Sequence, residues 1–313
     1  MTGLDPKNAL LIALVAFTLF YLVVVIARVQ KALREGETLS LLLAGPRSSW
    51  LYFTGFITNF FDTLGVGSFA TTTALYRKLK LVPDERIPGT LNIGHTLPTV
   101  VQAFIFTKLV PVDPMTLALM IIAAALGSYI GSGIVAGLPR RSIQLGMGFA
   151  LIGAATLMAL SIGGWLPGGG ELLKLEGNKL IFALIGNFFL GSLMTIGIGL
   201  YAPCMVLIYL LGMTPTAAFP IMMGSCAFLM PVASYRFIKK EGFDLRATLG
   251  LMIAGIPAVL IAAFLVKALP LNYVKALVVL VVLYTAYGML KAARESQAIK
   301  DATLAGGKLS VAE

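Results

Sequence analysis

The chain has 313 residues, of which 58% are hydrophobic and only 12% charged, with a mean hydropathy of +0.92. A soluble domain of this composition would lack the polar surface to cover itself, so the sequence reads as an all-α polytopic membrane protein. Its 24 Lys and Arg against 14 Asp and Glu give a net charge of +10. One histidine and two cysteines cannot build a multi-His or multi-Cys metal site or a disulfide framework.

Nine apolar runs approach or exceed the roughly 20 residues needed to cross a bilayer. The first, Ala9 to Ile26, is longer than a usual signal core and carries no small-x-small cleavage pattern, so a retained helix is expected. The second, Leu51 to Tyr76, is interrupted by "NFFDTLGVGSFATTT", with an acid, four threonines and a Gly-x-Gly. Then come Pro88 to Phe106, Met115 to Leu138, Leu145 to Ile162, Leu180 to Leu211, Pro215 to Tyr235, Leu249 to Val266 and Val274 to Leu290. Cys204 and Cys226 lie inside these runs without CxxC spacing.

The halves repeat. "TLGVGSFATT" (Thr63 to Thr72) lies over "TIGIGLYAPC" (Thr195 to Cys204) at an offset of 132, the difference between Gly65 and Gly197. Pro83 then falls on Pro215 and Pro88 on Pro220; after one deletion Phe106 falls on Phe237, Asp113 on Asp244 and Leu138-Pro139 on Leu269-Pro270. Matching Pro, Gly and Asp are harder to obtain by chance than matching Leu. The expected organisation is an N-terminal transmembrane helix with a cytoplasmic linker (1–49), a first repeat (50–163), an extracytoplasmic linker (164–179), a second repeat (180–291) and a cytoplasmic tail (292–313).

Basic residues then set topology, because cytoplasmic loops carry the Lys/Arg excess. If each Gly-x-Gly segment crosses fully, the cluster Arg77, Lys78, Lys80 and Arg86 lands outside. If each enters, breaks at its glycines and leaves by the side it entered, 18 of the 24 basic residues fall inside and six outside, with the N-terminus out and the C-terminus cytoplasmic. Leu180 to Leu211 is 32 residues, about 48 Å as a helix, too long for one straight crossing of a roughly 30 Å core. Each repeat then holds a re-entrant hairpin plus three spanning helices. That is an odd number of crossings, so the repeats are inverted, a transporter architecture.

Irregular backbone at membrane depth is tolerated only in a protein interior or a wet cavity. Gly65, Gly67, Gly197 and Gly199 supply the conformational freedom, and Ser68, Thr71, Thr72 and Thr73 can take up the freed hydrogen bonds. A half-helix starting after each break points its partly positive N-terminus at midplane, which suits an anion. Close packing of small residues is the alternative use of such glycines; recurrence in both repeats favours a site. Asp62 is the one acid deep in an apolar run, and proton coupling is expected of it. Capping of the following half-helix, or pairing with His95, is its structural alternative. His95, with Asn92, Thr96 and Gln102 on the same helix, is expected to face the pore rather than rest as a bonded core histidine. In the second repeat Ser225 and Cys226 occupy the corresponding stretch, and Tyr201 follows the break. Asn59 and Asn187 each stand in an "NFF" and do not align at the common offset, so they read as separate solutions to hairpin packing.

The plan of a glycine-broken first helix, a Pro-led second helix, an Asp-bearing turn ("LVPVDP", "KEGFDL"), a third helix ending in "GLPRR" or "ALP" and a fourth helix resembles the sulfite exporter (TauE/SafE) family. The resemblance runs from about Leu51 to Leu290. The family's GxGGG followed by Pro is reduced here to Gly65-Val66-Gly67 and Gly197-Ile198-Gly199, with Thr71 where the second copy has Pro203. The resemblance implies a multi-pass carrier of the bacterial cytoplasmic membrane for a small anion such as sulfite, a sulfonate or a related organic acid, without cofactor and without nucleic acid as partner. The expected substrate-binding residues are Gly65, Gly67, Ser68, Thr71, Thr72, Asn92, His95, Gly197, Gly199, Tyr201, Ser225 and Cys226, with Asp62 and His95 in coupling. An anion channel using the same half-helix ends is the alternative. There is no HExxH and no GxxxxGK[ST], so no enzyme is expected.

Overall fold

The computed structural model describes residues 6–131, 140–163, 165, 170–194, 199–268 and 271–309. Gly197, Leu138-Pro139 and Leu269-Pro270 lie outside them. The described residues are helical, without named strands. In chain order they form α1 (Pro6–Arg34), α2 (Leu39–Ala44), α3 (Ser48–Thr63), α4 (Ser68–Leu79), α5 (Ile87–Leu109), α6 (Pro114–Leu126), α7 (Arg140–Ile162), α8 (Gly177–Met194), α9 (Tyr201–Leu210), α10 (Ala218–Lys239), α11 (Leu245–Ala268) and α12 (Leu271–Leu309).

Among the described residues, five stretches are long and apolar enough to cross a membrane: Pro6–Arg34, Gly177–Met194, Pro215–Lys239, Leu245–Leu265 and Ala276–Glu295. The apolar run Leu51 to Tyr76 is split into α3 and α4, and Leu180 to Leu211 into the end of α8 and α9. α5 is long but carries buried Thr90, Asn92, His95, Thr96, Thr99 and Gln102. Such a helix belongs in the interior, where those groups find partners.

Local structure recurs in the two halves of the chain. Short 3₁₀ turns, Asp84–Arg86 and Pro215–Ala217, lead into the Pro-bearing starts of α5 and α10. Asp113 accepts from the Thr116 N–H at 2.8 Å and Asp244 from the Ala247 N–H at 2.8 Å, so each caps the third helix of its unit. Packing is exchanged in the same way: α3 lies on α11, α8 lies on α6, α5 pairs with α10, and α7 pairs with α12. Glycines permit the tightest of these contacts. A methyl at Gly55 would sit 2.6 Å from the Gly250 carbonyl oxygen, and methyls at Gly191 and Gly127 would press into the Ala124 and Phe188 backbones.

The ends of the broken helices lie together. Arg47, just before α3, donates from Nη1 to the Lys80 carbonyl, just after α4, at 3.1 Å. Before α8, the Leu172 N–H reaches the Gly212 carbonyl at 3.2 Å and the Leu172 carbonyl accepts from Thr214 at 3.0 Å, just after α9. α10 is the central helix, with 78% of its apolar window buried, whereas α1 is peripheral at 22%. α1 is held by the Tyr21 hydroxyl on the Ile93 carbonyl at 2.5 Å, by Phe17 against Phe228 at 5.2 Å and by the Lys31–Glu241 ion pair at 2.8 Å.

Candidate functional site

The break between α3 and α4 follows from its glycines. Gly65 has φ +100° and Gly67 φ +81°, in the region that side-chain-bearing residues resist. The turn frees the first N–H groups of α4, and Asp62 turns back to accept from the Ser68 N–H at 2.5 Å through Oδ1. Its other oxygen, Oδ2, accepts from Gln102 Nε2 at 2.9 Å, and the same amide nitrogen reaches Thr63 Oγ1 at 2.9 Å. Gln102 Oε1 in turn accepts from the Tyr201 hydroxyl at 2.9 Å. A continuous chain therefore runs from the first residue of α9, through Gln102 on α5, to the carboxylate that caps α4.

The two breaks meet at a cavity of about 20 Å³. Asp62, Gly67 and Ser68 line it from the first break, Gly199 and Tyr201 from the second, and Cys226 from α10. Phe69, Thr99, Met194, Leu200 and Met230 complete the wall. That volume holds about one water. A methyl placed on Gly67 or Gly199 would meet nothing within 4 Å, so neither glycine is kept small by a packed neighbour. Gly65 differs, because a methyl there would strike Met205 Cε.

The other residues expected from the sequence have hydrogen-bond partners of their own, and Asn92 lines not this cavity but a larger one beside α10. His95 is fully buried, with Nδ1 bonded to Asn59 Oδ1 at 2.9 Å and Nε2 to Thr72 Oγ1 at 2.9 Å. The Asn59 amide nitrogen donates to the Gly55 carbonyl at 2.7 Å, which leaves its oxygen as the acceptor and makes His95 Nδ1 the donor. Thr71 bonds back to the Gly67 and Ser68 carbonyls, and Asn92 donates to the Pro88 carbonyl at 2.9 Å. Ser225 accepts from Asn187 Nδ2 at 3.1 Å, and Cys226 Sγ donates to Met194 Sδ at 3.4 Å. Of the two structural alternatives for Asp62, capping is observed; its hydrogen-bond partners do not include His95. The two NFF asparagines do comparable work, each tying a broken helix to the Pro-led helix of its own unit, Asn59 through His95 and Asn187 through Ser225.

Gln102 and Thr99 join the site beyond the residues expected from the sequence. Gln102 is visible in the sequence only as one polar residue on a polar helix, and its position between both breaks depends on tertiary packing. No cluster of three or more His, Cys, Asp or Glu suited to a metal exists among the described residues.

Residues 179–311, less than half of the chain, match the family model described as Sulfite exporter TauE/SafE. No curated protein and no solved structure matches. The matched region spans α8 to α12 and thus the second break. Together with the five apolar helices among the described residues, the match supports a multi-pass membrane protein.

Proposed function

We propose that the chain is a secondary transporter of a small organic or sulfur-containing anion in the bacterial cytoplasmic membrane, working by alternating access between two inverted repeats. The observation that carries this reading is the cavity where Gly67 and Ser68 meet Gly199 and Tyr201. Two interrupted helices converging on one point place two partly positive helix ends there, and substrate sites of inverted-repeat carriers are built this way. The hydrogen bonds from Arg47 to Lys80 and between Leu172 and Gly212–Thr214 support re-entrant hairpins that leave by the face they entered. α3 has 16 residues and α4 has 12, about 24 and 18 Å of helix, so neither half spans a roughly 30 Å core alone.

Asp62 is central to the proposed mechanism. Its carboxylate already occupies the anion position at the start of α4, bonded to the Ser68 N–H. A substrate anion competes with this tethered one. When Asp62 takes up a proton its negative charge is lost, the cap loosens and the helix end is freed for substrate, which couples anion movement to a proton. Gln102 and Tyr201 pass the change to the second break through the hydrogen bonds they share. A cavity of about 20 Å³ does not hold sulfite, so in this reading the two units move apart to admit substrate, as a carrier requires.

The test is flux in proteoliposomes. A carrier gives uptake that saturates with external anion and accelerates when the same anion is loaded inside. Flux that rises linearly and ignores internal anion would establish a channel instead.

A further inference from the structure

A second cavity, of about 930 Å³, lies between α1, α6 and α10, away from the break cavity except for a shared wall at Met194. Its walls are apolar almost throughout, including Ala13 and Phe17 of α1, Ile122 of α6 and Val232 of α10, and it reaches Arg236 and Lys240 on the last turn of α10. The Arg236 guanidinium lies over the Tyr129 ring, 5.2 Å from its centroid. The geometry points to a bound anionic phospholipid, its acyl chains along α1, α6 and α10 and its phosphate at Arg236 and Lys240.

Three observations favour this occupant. The groove is charged at one end only, and its remaining polar lining is sparse, as an amphipathic anion requires. It opens sideways: Ile122 and Leu126 on α6 and Tyr129 in the turn after it are 51%, 47% and 63% exposed, where the surrounding medium is lipid. The α6 side (Ala118–Tyr129) and the α10 side (Phe228–Lys240) contribute stretches of 12 and 13 residues, about 16–18 Å from first to last at 1.5 Å per residue. That is the depth of one leaflet of a roughly 30 Å core. The cationic end lies beside the Lys31–Glu241 pair and follows Tyr235, whose ring packs tilted against Phe20 at 6.1 Å, so it sits at the interface on the side that the basic-residue excess assigns to the cytoplasm. Basic pockets between helices on that side suit anionic lipid headgroups. α1, which the repeats do not require, supplies one wall, and the lipid would seal it to them.

The experiment uses the full chain in nanodiscs of phosphatidylcholine with and without phosphatidylglycerol of the same acyl chains, read by thermal unfolding and by lipid retained after extraction and native mass spectrometry. Phosphatidylglycerol is expected to raise the Tm and to be retained preferentially. In Arg236→Gln/Lys240→Gln the preference should fall at least severalfold, with the Tm in pure phosphatidylcholine unchanged. Ala125→Trp, which fills the groove without touching the charges, should lower retention of both lipids and covers the case in which the charge variant does not fold. Equal retention of the two lipids by the unaltered chain, or an undiminished preference in both variants, would overturn the assignment. So would displacement of no lipid alongside saturable binding of a soluble alkyl sulfonate in the groove, which would make it a substrate vestibule.

Discussion

Asp62 is 2% exposed and has both carboxylate oxygens engaged, one by the Ser68 N–H and one by Gln102. A buried acid in this position is costly unless its bonds are complete, and here one of those bonds is to the helix end on which the anion-site proposal depends. Asp62→Asn keeps the shape and removes the titratable charge. Anion uptake by this variant is expected to lose its dependence on external pH while remaining measurable; a pH profile identical to that of the unaltered chain would remove Asp62 from coupling. His95 carries a separate expectation. Removing its ring strands Asn59 Oδ1 and Thr72 Oγ1 in the interior, and an unpaired buried polar group costs about 1–3 kcal/mol. His95→Ala should therefore lower the unfolding free energy by at least that amount and weaken transport by loosening α4 from α3. A variant with unchanged Tm would show that the Asn59–His95–Thr72 bonds do not hold the hairpin.

Among the elements, the α3–α11 contact is sensitive to volume, because Gly55 lies against the Gly250 backbone. Overpacking such a site costs about 1–3 kcal/mol, so Gly55→Leu is expected to lower the Tm strongly, whereas Gly153→Leu, with open space at its Cβ, should leave it nearly unchanged. Equal effects would mean that α3 does not pack closely there. Much of this level was legible in the sequence. The Asp113 and Asp244 caps, the Pro-led starts of α5 and α10 and the interruption of the Leu51–Tyr76 run all follow from residue types whose backbone preferences are local. What was not legible is non-local. Gln102 becomes a link only because α5 lies between the breaks, and Gly55 and Gly67 look alike in sequence although one meets a backbone and the other meets nothing. The candidate site was legible in its glycines and Asp62, whereas its closure to about 20 Å³ came from packing by Met194 and Met230.

At the scale of the molecule, one face gathers Arg47, Lys80, Glu241 and Arg246, joined by bonds such as Arg246 Nη2 to the Pro46 carbonyl at 2.5 Å. The other gathers Asp113, Thr116 and the segments 172–175 and 212–214. If the hairpins re-enter, single cysteines at Lys80 and Arg34 are both protected from an impermeant thiol reagent added outside; labelling of one alone would exclude the inverted-repeat topology. The central claim, that both breaks frame one anion site, is tested most directly by calorimetric anion affinity of the purified chain and of Gly199→Ala, titrated with sulfite, thiosulfate, a sulfonate and a small carboxylate. The added methyl enters open space, so the ligand-free Tm should not change. Blocking a charge-assisted hydrogen bond is worth about 1.5–3 kcal/mol, so affinity for the anion that binds should fall roughly ten- to a hundredfold. Equal affinity in both proteins, or binding of none of the four anions, would contradict it.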